Sequence, residues 1–285
     1  MQARKIFILS LSFGCLFLTA CGGSFSHVAA TPDYTSINNN WLITGVTSNT
    51  MSFGQAPYIG AALAASGNSI YGEFRIEVRC VEGSTAGFNF PVSGVIDSDA
   101  HFSFSGISLP GSNSVQFVLN GAVPAKNAST WQGTYSLHGS MQSGCTLNQD
   151  GSFNAVVYPP VQGTFSGSVT PYLASTATID LQISQLAPSV GLSMQGRPTV
   201  ITPTSGTITV AGGSPCFTTG TIQSGSIAGD EVSASLLMKD GTSVSLHGYL
   251  GDTTASTLEQ VFLITFPFGT GNCANQSLVF SLLKK

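Results

Sequence analysis

Charge is scarce in this chain. Of its 285 residues only 8% are Asp, Glu, Lys or Arg, and nine are basic. Recognition of a phosphate backbone needs clustered Lys and Arg, so nucleic acid is excluded as a partner. Long apolar runs are missing as well. The longest, Ile6 to Leu18, falls short of the roughly 20 residues a membrane-spanning helix needs. No segment shows a convincing 3.6-residue period, which excludes a helical body. No cysteine pair has CxxC spacing, against a redox motif or a zinc ribbon. G-x-S-x-G, P-loop, dinucleotide, H-E-x-x-H and EF-hand patterns do not occur. Ser281-Leu282-Leu283-Lys284 matches S-x-x-K, but in a tail strand rather than on a helix. No cofactor is implied. What is present is 42% hydrophobic residues, 33 glycines, and Ser plus Thr at about a quarter of the chain. That apolar fraction supports a real core and excludes global disorder.

The N-terminus carries Arg4 and Lys5, then the apolar run, then Leu18-Thr19-Ala20-Cys21. This resembles the signal of bacterial lipoproteins, whose box of small residues ends in the acylated cysteine. The resemblance implies cleavage after residue 20 and lipid on Cys21, hence a membrane partner held through that anchor. Each buried CH₂ contributes about 0.8 kcal/mol, so several acyl chains hold firmly. Gly22 rather than Asp after the cysteine implies sorting to the outer membrane, with the body facing the periplasm or the exterior. The mature chain then has seven basic and 13 acidic residues, a charge of −6. Residues 21–39 are small, polar and without period. They read as a lipidated tether that spans roughly 25 Å as a flexible coil.

Four further cysteines remain: Cys80, Cys145, Cys216 and Cys273. An even number in an exported chain points to two disulfides, with three possible connectivities. An internal repeat selects among them. Strand-like Tyr71–Val78 and Gly206–Ala211 each precede a first cysteine. Pro91–Ile96 corresponds to Gly225–Ala228, and Ser114–Val123 to Ser243–Leu250. Gly144-Cys145 and Gly271-Asn272-Cys273 each lead into a last strand. The repeat therefore predicts Cys80–Cys145 and Cys216–Cys273, one staple per half.

Alternation with period two runs almost everywhere. In Tyr71–Cys80, Phe74, Ile76 and Val78 point one way, and Glu73, Arg75, Glu77 and Arg79 the other. Asp240-Gly241 reads as a hairpin turn, and Asn120-Gly121 and Asp150-Gly151 as similar punctuation. The fold class is all-β: two consecutive antiparallel barrels or sandwiches of about eight strands each, with one fused sandwich as the alternative. Strands of the first half are expected near 40–48, 57–65, 69–80, 88–96, 101–108, 114–122, 131–139 and 151–158. In an up-and-down order the third strand ends where the eighth begins, which suits Cys80–Cys145. The domains are 1–20 signal, 21–39 tether, 40–160 first unit and 161–285 second unit, with the junction at Val161-Gln162-Gly163-Thr164 after Pro159-Pro160.

Asn40-Trp41-Leu42-Ile43-Thr44, Gly206-Thr207-Ile208-Thr209-Val210, Pro215-Cys216-Phe217 and Gly271-Asn272-Cys273 together resemble the Ser/Thr/Gly-rich β-sheet lipoproteins of Acidobacteria-type soil bacteria. The resemblance covers nearly the whole mature chain. That group brings no activity with it, so no functional residue is carried over.

The candidate sites are few. Asp97, Asp99 and His101 would share one face of an extended strand, as a hard-metal or acid/base cluster would; otherwise they form a turn whose acids accept backbone N–H groups. Gly229-Asp230-Glu231 at the matching place also reads as a turn. Glu73, Arg75, Glu77 and Arg79 form either a solvated strand face or a partner-binding stripe. The adjacent Arg residues would keep both Glu ionised, which does not suit a glycosidase acid. His101, His138 and His247 fall on polar faces. Trp41 and Trp131 fall on apolar faces, as core residues rather than sugar platforms. The expectation is a non-enzymatic, membrane-anchored envelope module for binding or structure, its protein or glycan partner unspecified. One alternative is a lipocalin-like carrier of a small apolar ligand. The other is a hydrolase of envelope polymers.

Overall fold

A computed structural model describes residues 33–47, 57–80, 82–107, 114–140, 145–169, 177–212, 216–265 and 277–285. The signal, Cys21 with residues 22–32 of the expected tether, and Cys273 lie outside them. Among the described residues there is no α-helix; strands and turns make two closed antiparallel barrels in sequence. Residues 33–265 and the last strand form one compact unit.

The first barrel has eight strands in up-and-down order: β1 (Asn39–Thr47), β2 (Tyr58–Ser66), β3 (Ser69–Arg79), β4 (Thr85–Ile96), β5 (His101–Ile107), β6 (Val115–Ala122), β7 (Thr130–Ser140) and β8 (Thr146–Tyr158). β1 closes on β8, with Asn40 opposite Tyr158 and Thr47 opposite Gly151. A 3₁₀ turn, Thr35–Ile37, lies ahead of β1, so residues 33–38 belong to the folded body. Its Ile37 is fully buried, and Trp41 Nε1 donates to the Ile37 carbonyl at 3.1 Å.

Alternation decides what fills this barrel. Trp41, Phe74, Phe102, Phe104, Phe117, Trp131 and Phe153 all point inward and are buried. Their rings meet in tilted and edge-on pairs: Phe102–Trp131 at 4.8 Å, Trp131–Phe153 at 5.0 Å, Phe74–Phe117 at 5.1 Å and Trp41–Trp131 at 5.7 Å. Such pairs add about 0.5–1.5 kcal/mol each beyond area burial. Asn120-Gly121 and Asp150-Gly151 correct the turn expectation, because both lie inside strands. A Cβ on Gly121 would come within 3.0 Å of the Phe102 ring, and one on its neighbour Gly133 within 2.6 Å of Phe153. At Gly121 the glycine makes room for an aromatic rather than turning the chain.

The second barrel runs β9 (Gln162–Val169), β10 (Ala177–Gln185), β13 (Thr204–Ala211), β14 (Thr219–Ala228), β15 (Glu231–Met238), β16 (Ser243–Leu250), β17 (Thr257–Thr265) and β18 (Ser277–Lys284). β18 closes on β9 through Leu283–Ser166 and Lys284–Phe165. Its core is mostly aliphatic, with Ile179, Leu181, Ile208, Leu236, Leu246, Leu263 and Leu282 around Phe165 and Phe217. Asp240-Gly241 does turn, with Gly241 at φ 86° and Asp240 accepting from Thr242 N–H at 2.9 Å. One element has no counterpart in the first half. A hairpin, β11 (Ser189–Leu192) and β12 (Pro198–Ile201), is inserted between β10 and β13.

Cys80 follows β3 and Cys145 precedes β8, at the same end of the barrel, and they are joined by a disulfide with Cα atoms 5.1 Å apart. Glu82 lies beside them, but the two sulfurs are spent on each other, so this group is not a metal site. Cys216 is also disulfide-bonded, to a partner outside the described residues.

Candidate functional site

A group of polar residues, among them the buried Asn40 and Glu231, converges where the two barrels meet. Strand β2 reads YIGAALAAS and is buried on both faces. Ile59, Ala61 and Leu63 enter the first barrel, while Gly60, Ala62 and Ala64 face outward and are also buried. Small outer residues let another backbone come close. A Cβ on Gly60 would stand 2.1 Å from the Ala228 carbonyl oxygen, so only glycine permits this approach. The visitor is the β14–β15 turn, Gly229-Asp230, whose Gly229 sits at φ 67°.

Asn40 clasps that turn. Its Nδ2 donates to the Gly229 carbonyl at 2.5 Å and its Oδ1 accepts from the Gly229 N–H at 2.7 Å. Asn40 is only 2% exposed, so both of its bonds are made out of water. Tyr58 donates to the Asp230 carboxylate in a short hydrogen bond and lies 3.2 Å from the Ala228 carbonyl. Burial and the adjacent Asp230 push the Tyr58 phenol up, so it stays protonated. Burial likewise raises Asp230, against the Tyr58 hydrogen bond that favours its charged form.

The stripe on β3 forms the next part of the contact. Arg75 Nη2 bonds Glu77 at 2.8 Å, and Arg75 Nε stands 2.8 Å from Glu231 Oε2 at the start of β15. His247 on β16 approaches the other Glu231 oxygen at 3.4 Å and meets the Tyr249 ring edge-on. Burial raises Glu231 despite the attraction of Arg75, and burial, followed by Arg75, lowers His247. Burial also raises Glu73. Arg79, at the end of the strand, is exposed. Glu77 and Glu231 thus hold one guanidinium, Glu231 also meets one imidazole, and Asp230 is held by Tyr58 instead.

This cluster is closely packed. The cavity among Glu73, Arg75, Asn89, Ser226, Glu231 and Ser233 holds about 20 Å³, the space of one water. The contacts themselves join one barrel to the other.

The other sequence candidates lie apart. Asp97 to Ala100 form the β4–β5 turn, with Ala100 at φ 60°, so Asp97, Asp99 and His101 do not share a strand face. Asp97 Oδ1 accepts from the Asp99 and His101 N–H groups at 2.9 and 2.8 Å, and His101 Nδ1 is 3.9 Å from Oδ2. Asp97 and His101 border a shallow groove of about 600 Å³ over β4–β7, with Val95, Ser103, Asn120 and Thr134. A second groove, of about 680 Å³, lies between the 33–36 segment and residues 123–129. His138 pairs with Asp150 at 2.9 Å on the surface. Trp131 Nε1 donates to the Ala122 carbonyl at 2.8 Å inside the barrel.

Sequence reasoning missed Asn40, Tyr58 and Gly60 altogether and took Gly229–Glu231 for a plain turn. One signal was there: β2 is apolar on both alternating sets, the mark of a strand covered on both sides. No protein-family model matches this chain, and no curated protein matches its sequence.

Proposed function

We propose that this protein is a membrane-anchored envelope module that works by its surfaces, without turnover. The observation that carries the reading is the filling of the first barrel by eight buried aromatic rings, Tyr135 among them. A carrier of the lipocalin kind needs an open interior, and this one is packed. The second support is the clasp at Asn40 and Tyr58, which joins two barrels into one stiff body. The anchor at Cys21 would present that body at the outer membrane, and its uncharged Ser/Thr faces would meet a protein or glycan partner. The fold, an all-β pair of stapled barrels, suits an oxidising compartment.

The test is expression of the full chain in a bacterial host, followed by mass spectrometry and membrane fractionation. The expected result is cleavage before Cys21, a mass increase of a diacylglyceryl group, and recovery with the outer membrane. A soluble periplasmic product without lipid overturns the reading. Native mass spectrometry of the Cys21→Ser chain checks the interior: a persistently bound small molecule would restore the carrier.

A further inference from the structure

The β11–β12 hairpin is an element that the second half adds to the repeat among the described residues, and half of it is packed while half is not. Val190 and Val200 lie opposite each other and pack on Ala62, Ala64 and Tyr71 of the first barrel, with Val200 4% exposed. Leu192 lies two residues beyond Val190, on the same face, yet is 71% exposed. The hairpin therefore overhangs the barrel it rests on. Its tip is a tied turn, with Ser193 N–H to the Arg197 carbonyl at 2.8 Å, Gly196 N–H to Ser193 at 2.9 Å, and Gly196 at φ 72°. This turn holds Met194 fully in solvent. A tied turn that displays a leucine and a methionine is a costly arrangement in water.

Position says what covers it. Asn38 Oδ1 accepts from the Ala65 N–H, and Ala62 is paired with Asn40, so the hairpin base sits one strand away from the start of β1. The described chain begins at Asp33, five residues before Asn38. Eleven residues lie between Cys21 and Asp33, a contour of roughly 40 Å over the twelve Cα steps. An acyl anchor at Cys21 thus keeps this corner of the body within reach of the bilayer. The hairpin's own charge agrees: between Asp180 and Asp230 the only charged residue is Arg197, in the tip, so this stretch brings a cation and no acid to anionic headgroups.

We propose that the hairpin tip, Leu192 and Met194 with Arg197, is a second membrane contact that seats the body on the lipid surface. The proposal rests on the anchor reading above. The test uses the full acylated chain with Met194→Cys carrying an environment-sensitive fluorophore, on vesicles of phosphatidylethanolamine and phosphatidylglycerol. The expected result is a blue shift and quenching by lipid-borne quenchers, with no change for the same label at Lys239→Cys. A label at 194 that stays water-like on the vesicle-bound protein overturns the proposal. A shift without vesicles that grows with protein concentration also overturns it, and assigns the tip to a second copy. The unanchored Cys21→Ser chain separates the two readings. Its partition to anionic vesicles should fall at least tenfold on Leu192→Asp plus Met194→Asp, and fall less on Arg197→Gln. Equal partition of parent and double variant overturns the hairpin contact whether or not Cys21 is acylated, and the mass spectrum alone decides the anchor.

Discussion

Replacing Asn40 by Ala tests whether the two barrels are one cooperative body. The side chain makes two hydrogen bonds to Gly229, at 2.5 and 2.7 Å, from a site 2% exposed. Each such bond is worth about 0.5–1.5 kcal/mol net, and each buried group left unpaired costs about 1–3 kcal/mol. Ala leaves the Gly229 N–H and carbonyl with no partner, so the expected loss is about 2–5 kcal/mol. The loss falls on docking, because Asn40 faces out of the first barrel. Urea unfolding followed by Trp fluorescence reads the first barrel alone, since Trp41 and Trp131 are the only two tryptophans. Amide exchange reads Gly229 itself. The expected outcome is faster exchange at Gly229 and across the β14–β15 turn, with Phe117 and Leu119 in the first barrel protected as before. Asn120→Ala, exposed on β6, serves as the reference and should stay within about 0.5 kcal/mol. If Asn40→Ala matches that reference and Gly229 keeps its protection, the clasp contributes nothing and the reasoning fails.

Gly60→Ala should separate the barrels outright, because its Cβ would stand 2.1 Å from a backbone oxygen that has no rotamer to escape with. Small-angle scattering should show a longer molecule while near-ultraviolet dichroism of the first barrel persists. Cys80→Ser opens a cross-link between residues 65 apart and should cost about 4 kcal/mol by chain entropy, measured by denaturant titration. The intact mass without reductant should lie about four hydrogens below the fully reduced chain if Cys216 pairs with Cys273. Glu73 is raised by burial, so its neutral form favours the folded state; that contribution is present at low pH and is lost as pH rises through its folded pKa. Glu73→Gln should therefore stabilise the protein at pH 8 and make no difference near pH 3; an equal gain at both pH values would refute the assignment. His247 runs the other way: burial lowers it, so stability falls as pH drops below its ordinary range, and His247→Asn should flatten that slope.

The first barrel was almost fully legible. Strands expected at 69–80, 101–108 and 114–122 stand at Ser69–Arg79, His101–Ile107 and Val115–Ala122, because period-two alternation is imposed by the pleat whatever the surroundings. The Cys80–Cys145 bond followed from the internal repeat, and strand parity suited it, since each hairpin reverses the chain once. The Asn-Gly and Asp-Gly signals divided for a tertiary reason. Asp240-Gly241 found only solvent around it and turned, while Gly121 had the Phe102 ring against it and continued a strand. The charged stripe on β3 was seen but its cover was not.

Alternation, turn chemistry and the internal repeat are read along the chain, and they sufficed for two eight-stranded antiparallel units with a staple in the first. The clasp is of another kind. Asn40 meets Gly229 across 189 residues, and Tyr58 meets Asp230 across 172. A period of two separates inside from outside, but an outward Asn, Tyr or Glu reads the same in water as against a second barrel. Only the folded arrangement, with Gly60 open to the Gly229 turn, decides which of those outer faces is dry.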